Sequence, residues 1–196
     1  MTAQHFAIFD TALGACGIVW TARGIRGVQL PEQDAAATRA RVQRRHPAAT
    51  EAAPPPQVRR AIDGIVALLA GDKRNLTDIA IDDDGQTEFN RRVYAIARKI
   101  PPGATMTYGE IAERLGDKLL ARAVGQAMGE NPTPIIMPCH RVLAAGGKTG
   151  GFSASGGVVT KLKLLTIEGA EPNGPTLFGR LPLASRSRPR RRGSGR

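Results

Sequence analysis

Cys139 and His140 are neighbours in the run Pro-Cys-His-Arg-Val at positions 138–142. The thiolate is the nucleophilic form of cysteine, and a free thiol is only a few per cent ionised at neutral pH, so a reactive cysteine needs an adjacent base or cation. Imidazole is the base that most often serves a thiol. The dipeptide alone is also compatible with a buried cysteine that packs as a small apolar residue. The segments around this run are therefore needed to distinguish a reactive cysteine from one that only packs in the core.

Length and composition limit the class of protein. The 196 residues are 41% hydrophobic, enough for one large domain or two small ones. No stretch approaches the roughly 20 apolar residues of a membrane span, and the first residues lack a secretory signal, which predicts a cytoplasmic protein that does not bind membranes. Cys16 and Cys139 are then expected to be free thiols. Three histidines and no Cys-x-x-Cys spacing predict no metal site.

The charge of the chain favours a polyanionic partner. Its net charge is +11, and seven of the positive charges are arginines within residues 180–196, so residues 1–179 carry only +4. Nucleic acid is the commonest partner of a protein this basic. The tail at 180–196 has the composition of a disordered segment, which either attracts phosphate regardless of sequence or is a solvated terminus without a role.

Residues 1–85 have the pattern of a small α+β domain. Three short strands separated by turn residues predict an antiparallel sheet, at 5–10, 17–20 and 25–30. Asp34 is placed to cap a helix that ends at His46, and a second helix follows the prolines at 54–56. A further short strand is expected at 76–81. Nothing in this part points to chemistry, and Cys16 and Trp20 are interpreted as packing residues.

Residues 86–179 are predicted to be mainly α. After a first helix, Thr107 precedes Glu110 by three residues, the spacing of a capping box. Two short helices are expected from there, ending near Gly116 and Gly129, and a pair of this kind matches a helix-turn-helix. Arg122 lies near the start of the second helix, where it either meets DNA or is a solvated surface arginine. The predicted fold is therefore an α+β N-terminal domain followed by a mainly α C-terminal domain containing a helix-turn-helix.

Four further segments follow the helix pair in order: Asn-Pro-Thr-Pro at 131–134, the Pro-Cys-His-Arg-Val run, Gly-Phe-Ser at 151–153 and Ile-Glu-Gly at 167–169. In this setting the chain resembles the O6-alkylguanine-DNA alkyltransferases, also called methylated-DNA–protein-cysteine methyltransferases. The resemblance covers about residues 87–171, whereas the first 85 residues are similar to the family only in length and element order. It implies a DNA repair protein, with residues 86–179 as the DNA-binding and catalytic domain.

The resemblance implies how the site would react. Cys139 would take the alkyl group from O6-alkylguanine in double-stranded DNA, with O4-alkylthymine left open as a second substrate. The resulting thioether does not hydrolyse readily, so each protein molecule would react only once. The protein is expected to be a monomer that needs no cofactor. In the family, the histidine acts on the thiol through a water and a glutamate orients its ring, which assigns these roles to His140 and Glu168. Glu168 could otherwise be an ordinary acid at a helix end.

The reacting carbon lies inside the duplex, so the base must be flipped out. By resemblance, Arg122 would fill the gap from the second helix in the minor groove, and Tyr108 would crowd the rotated phosphate and donate its hydroxyl to the guanine. The Ser153 N–H would face O6, and the carbonyls of Cys139 and Val142 would accept from the exocyclic amine. Asn131 would tie the helix pair to the active-site turn. Tyr108 could otherwise be a core residue.

Some residues depart from the family pattern. The loop at 151–157 is longer than in some members, which leaves the tolerated alkyl size open, and Phe152 stands where others have tyrosine. The basic tail is not a family feature. Arg141 is expected to make a structural ion pair or hydrogen bond.

Three other functions compete with repair. They are a lesion sensor that recruits other factors, a helix-turn-helix transcription regulator, and a thiol hydrolase or oxidoreductase. The presence of the cysteine disfavours a sensor, and the absence of a second nearby cysteine disfavours redox chemistry. A regulator would need a sequence-specific footprint on DNA.

Overall fold

The computed structural model describes residues 2–170. Its N-terminal half is built on a four-stranded sheet in the order β3-β2-β1-β4. The elements of this half are β1 (Gln4–Thr11), β2 (Gly14–Thr21), β3 (Gly24–Gln29), α1 (Ala35–Arg45), β4 (Ala49–Glu51) and α2 (Pro56–Leu69). The first three strands are antiparallel neighbours, with Phe6 opposite Val19 and Ile18 opposite Val28. The predicted meander and both helices of this half are confirmed, and Asp34 caps α1 by accepting from the Ala37 N–H at 2.7 Å.

The sheet is mixed, so the prediction of a purely antiparallel sheet is wrong. The short strand β4 pairs with β1 in parallel, with Gln4 opposite Ala49. The cause is the connection through α1, a crossover that returns the chain to the far edge of the sheet in the direction of β1.

The prediction of a strand at 76–81 is also wrong. Only Ile81 makes a bridge, to Ile25. The carbonyls of Leu76, Thr77 and Ile79 instead accept hydrogen bonds from the Arg98 guanidinium, at 2.8–3.2 Å. These carbonyls point toward Arg98 and not toward a neighbouring strand, so this segment stays irregular.

The C-terminal half is mainly helical. Its elements are α3 (Glu88–Ala97), β5 (Met106–Thr107), α4 (Tyr108–Arg114), α5 (Ala121–Gly129), β6 (Val142–Leu143) and α6 (Gly157–Ile167), with one-turn 3-10 helices at Lys118–Leu120, Cys139–Arg141 and Ala145–Gly147. The buried residues Ile111, Ala112, Val124, Ala127 and Met128 hold α4 against α5. Strands β5 and β6 form a parallel two-residue ladder that joins the start of α4 to the segment after Cys139. Within residues 2–170, no helix is both long and apolar enough to cross a membrane.

The capping box predicted at the start of α4 is confirmed. The Thr107 hydroxyl accepts from the Glu110 N–H at 3.1 Å, and the Glu110 carboxylate accepts from the Thr107 N–H at 2.6 Å. Both free N–H groups of the first turn are thereby satisfied. This cap fixes where α4 begins and hence where Tyr108, its first residue, is held.

Removing the cap is expected to destabilise the chain. Changing Thr107 to Ala removes the hydroxyl, and with it the hydrogen bond from the Glu110 N–H and the bond that the hydroxyl donates to the Glu110 carboxylate. We expect the free energy of unfolding to fall by about 1 kcal/mol. Urea denaturation followed by circular dichroism measures the change. Thr105→Ala, at an exposed position just before β5, is the control and should leave the midpoint unchanged. An equal shift of the urea midpoint in both variants would contradict the assignment of Thr107 as the cap of α4.

The two halves pack against each other around the segment that precedes the cysteine. The Val28 N–H of β3 donates to the Pro132 carbonyl at 2.9 Å. Ile135 and Ile136 lie in the core beneath the sheet, together with Leu164 of α6. The segment before Cys139 is therefore fixed by the N-terminal sheet as well as by its own half.

Candidate active site

Cys139 is held at the start of a one-turn 3-10 helix by hydrogen bonds from the asparagine that follows α5. The Asn131 side-chain amide donates to the Met137 carbonyl at 2.9 Å and to the Cys139 sulfur at 3.2 Å. Its oxygen accepts from the Thr133 N–H at 2.9 Å. One buried side chain thus joins the end of α5 to the cysteine turn. The sulfur is bound by Asn131 and not by the neighbouring His140.

Backbone strain accompanies this turn. Ile135 has a φ of 75°, and a β-branched residue rarely adopts the left-handed region. Such a conformation costs on the order of 1–3 kcal/mol and persists only where its surroundings impose it. Here the Ile135 side chain is buried in the core of the sheet, and the Met137 N–H donates to the Thr133 carbonyl at 2.8 Å across the turn. The strained turn leads directly to Cys139, which is itself buried in the core of the C-terminal half.

The buried environment acts against ionisation of the thiol. Burial raises the pKa of Cys139, while the hydrogen bond from Asn131 and the positive charge of Lys161 act in the opposite direction. Because burial dominates, the thiol keeps its proton at neutral pH. The site must therefore remove that proton when the cysteine reacts.

His140 is tied to Glu168 in a fully buried pair. The His140 Nε2 lies 2.9 Å from a Glu168 carboxylate oxygen. Arg141 donates to both oxygens of the same carboxylate, at 2.7 and 2.8 Å, and also to the Ile100 carbonyl. The ion pair expected for Arg141 is therefore present, and its partner is the same acid that holds His140.

The charges of this cluster fix which ring nitrogen of His140 is basic. Burial alone would raise the pKa of Glu168, but the hydrogen bonds and charges of His140 and Arg141 lower it to about 2, so the carboxylate is ionised. Burial lowers the pKa of His140, so its ring is neutral at pH 7. A neutral ring that faces a carboxylate carries its proton on Nε2. Nδ1, which is buried without a partner among residues 2–170, is then the free base.

Lys161 is a buried residue of the site that the sequence analysis missed. It is fully buried on α6, donates to the Val142 carbonyl at 2.6 Å and lies 5.9 Å from the centre of the Tyr108 ring. Burial lowers its pKa to about 8, and the nearby Cys139 acts against that change. A signal was available, because Lys161 and Glu168 share the helical stripe of Leu164 and Leu165. Charged residues on a buried stripe indicate a functional or structural pairing.

Loss of the Lys161 charge is expected to make the thiol less reactive. Lys161→Met keeps the volume but removes the cation that favours thiolate, so we expect the pKa of Cys139 to rise further and alkylation by iodoacetamide at pH 8 to slow about 10-fold. The rate is measured by mass spectrometry of the Cys139 peptide. Lys163→Met, which removes an exposed lysine from the same helix, is the control. An alkylation rate at pH 8 that is unchanged in Lys161→Met would refute the coupling between Lys161 and the Cys139 thiol.

Cys139 lines two of the cavities formed by residues 2–170. The larger, of about 480 Å³, is lined by Tyr108 of α4, Gly125 and Met128 of α5, and Phe152. A second, of about 260 Å³, lies toward the N-terminal half. Ser153 borders both cavities, and its hydroxyl donates to the Gly129 carbonyl at 2.9 Å.

The remaining predicted site residues lie around this arrangement. His140, Glu168, Val142 and Asn131 are all buried, and Asn131 contacts the cysteine sulfur. Arg122 is exposed on α5 and does not line the larger cavity. Tyr108 is half-buried, and burial raises the pKa of its hydroxyl. Among residues 2–170 no three histidine, cysteine or acidic side chains are grouped so that they could hold a metal ion.

Known proteins are similar to this chain in sequence and in structure. A family model described as the DNA-binding domain of 6-O-methylguanine DNA methyltransferase matches residues 88–170. The methylated-DNA–protein-cysteine methyltransferase of Methanothermobacter thermautotrophicus is 36% identical over 124 residues, which are 63% of this chain and 68% of that protein. That of Mycolicibacterium paratuberculosis is 44% identical over 119 residues, 60% of this chain and 70% of that protein. The chain belongs to the methylated-DNA–protein-cysteine methyltransferase family.

Solved structures extend the similarity to the N-terminal half. The O6-methylguanine methyltransferase of Mycobacterium tuberculosis superposes with a TM-score of 0.67 and 34% identity, covering 85% of this chain and 93% of that chain. The structure of Mycobacterium tuberculosis OGT in complex with DNA gives a TM-score of 0.68 at 34% identity, with coverage of 84% and 92%. The α+β architecture with its small mixed sheet is therefore that of this methyltransferase family.

Proposed function

We propose that this protein repairs DNA by transferring the alkyl group of O6-alkylguanine in duplex DNA to Cys139. The observation that carries the proposal is the position of the thiol, which lines a cavity and is next in sequence to His140 of the buried His140–Glu168 pair. The product is a thioether on the protein and an unmodified guanine. Because nothing in this arrangement cleaves a thioether, each molecule acts once.

The chemistry follows from the protonation states. The His140 Nδ1 takes the thiol proton, through one water as in the family, since the sulfur itself is bound by Asn131. The sulfur then attacks the alkyl carbon as the bond from that carbon to O6 breaks. The electron pair passes to the guanine ring, which gains a proton from the Tyr108 hydroxyl, and the proton taken up by His140 restores that hydroxyl by way of solvent. Glu168 stabilises the imidazolium that forms and keeps Nδ1 directed at the thiol.

Lys161 acts as a positioning residue in this scheme. Its ammonium favours the thiolate and binds the Val142 carbonyl at 2.6 Å. A carbonyl has two lone pairs, so Val142 can still accept from the exocyclic amine of the guanine, as can the Cys139 carbonyl. The Ser153 N–H is proposed to face O6 from the opposite wall of the cavity.

The helix pair is proposed to bind the DNA. We assign α4 and α5 to a helix-turn-helix, with α5 in the minor groove and the exposed Arg122 inserted where the flipped base has left the stack. Residues 86–179 would form the DNA-binding and catalytic domain and residues 1–85 a separate domain. The chain would act as a cytoplasmic monomer. The tail at 180–196 lies outside the described residues.

Mass spectrometry tests the reaction and its acceptor together. The protein is incubated with a duplex oligonucleotide carrying one O6-methylguanine, then digested. We expect the Cys139 peptide to gain one methylene, while the peptide with the buried Cys16 remains unmodified. A Cys139→Ala variant should bind the same duplex and gain nothing. Selective binding of the lesion without any gain on Cys139 in the unaltered protein would refute transfer and favour a lesion sensor.

A further inference from the structure

The second cavity beside Cys139 brings the N-terminal half to the reacting sulfur. Its volume is about 260 Å³, and Cys139, Gly129, Phe152 and Ser153 line both it and the larger cavity. Its far wall comes from the end of β3, the segment that follows it and α1, with Gln29, Leu30, Glu32, Arg41 and Arg45. The proposed guanine cavity, by contrast, is lined by α4 and α5. The sulfur therefore borders one cavity on the side proposed to face DNA and a second cavity on the side of the N-terminal half.

Displacement of an alkyl group by the Cys139 sulfur requires free space beside the sulfur. In the transition state the sulfur, the carbon and O6 lie in line, so the other substituents of that carbon project sideways from the axis. A methyl group needs little lateral space. A longer alkyl group must place its remainder in whichever space beside the sulfur is not filled by the base, and the second cavity is such a space.

The charged side chains that line the second cavity carry a net positive charge. Glu32 is the one acid that residues 2–170 contribute to its lining. Its carboxylate accepts from the Gln29 amide at 3.1 Å and lies 4.0 Å from the Arg41 Nε. Arg45 donates to the Gln29 side-chain oxygen at 3.4 Å and makes no ion pair among residues 2–170. Burial and the charge of Arg41 lower the pKa of Arg45, as expected for two guanidinium groups near each other. One guanidinium thus lacks a carboxylate partner.

We propose that the second cavity receives the remainder of the transferred alkyl group, and that Arg41 and Arg45 make the protein favour alkyl groups that end in an anion, such as carboxymethyl. The inference rests on the proposed function. In the reaction the bond between the Cys139 sulfur and the methylene carbon forms as the bond to O6 breaks. The thiol proton leaves through His140, the guanine gains one proton, and the carboxylate is carried over unchanged beside the arginines.

Single-turnover rates on three duplexes test the proposal. The duplexes are identical except for O6-methylguanine, O6-carboxymethylguanine or O6-carbamoylmethylguanine, the last being neutral and of the same size as the carboxymethyl lesion. We expect the carboxymethyl lesion to react faster than the carbamoylmethyl lesion in the unaltered protein. Arg41→Gln combined with Arg45→Gln should lower that rate ratio about 5-fold while the rate on the methyl lesion stays unchanged. Glu32→Gln should raise the ratio.

Arg44→Gln is the matched control, because Arg44 lies on the same helix and carries the same charge but does not line the cavity. A ratio that falls equally in Arg44→Gln would attribute the effect to general charge and overturn the proposal. So would equal losses on all three lesions with weaker binding of undamaged duplex, which would assign the arginines to the DNA backbone. Failure of methyl transfer in the unaltered protein would instead refute the proposed function.

Discussion

Glu168→Gln is expected to lower the free energy of unfolding by about 3–5 kcal/mol, because it leaves the Arg141 guanidinium buried without a charged partner. Arg141 is only 2% exposed, and the Glu168 carboxylate accepts two of its hydrogen bonds together with that of His140. Glutamine keeps the size of the side chain but offers one acceptor in place of two. The loss is measured by urea denaturation at pH 7. Glu113→Gln, which breaks the exposed pair with Lys118, is the control and should change little.

The Glu168 carboxylate also makes the stability of the fold depend on pH in the acidic range. Its pKa is about 2 in the folded chain against an ordinary value of 4.5. A carboxylate with a lowered pKa stabilises the fold fully above pH 4.5, and this contribution is lost as the pH falls toward 2. The unaltered protein should therefore lose stability between pH 4.5 and 2, and Glu168→Gln should lose less over that range. Parallel pH profiles for the two proteins would show that Glu168 is not the group responsible.

Local patterns in the sequence were sufficient to predict most elements of the fold. The turns between β1, β2 and β3, the Asp34 cap and the Thr107 capping box depend on residues a few positions apart, and all of them are confirmed. Strand β4 was missed because three residues have no pattern of their own, and its hydrogen bonds come from β1, more than forty positions earlier.

The site could be predicted only in part, for a physical reason. The cysteine and histidine are adjacent, whereas Glu168 and Arg141 meet across 27 positions, a separation that no periodicity encodes. The ion pair of Arg141 was expected without a named partner. Lys161 was missed although its place on the stripe of Leu164 could be derived from helical spacing, since a lysine in an apolar stripe is easily assigned to the surface.

His140→Phe is expected to slow methyl transfer to Cys139 by about 10²–10⁴-fold, the usual contribution of a general base. Phenylalanine fills the buried space but cannot take a proton, and burial keeps the pKa of the Cys139 thiol raised. In the unaltered protein the rate should be constant near neutral pH and fall as acid protonates His140, at a pH below 6.5 because burial lowers its pKa. In His140→Phe that acidic limb should disappear, a change that a purely structural role would not cause. Single-turnover rates from pH 5 to 8 measure both effects, His5→Gln provides the control for loss of a histidine, and binding of the lesion duplex verifies that the variant is folded. If the limb persisted at its original pH in the phenylalanine variant, a group other than His140 would be the base.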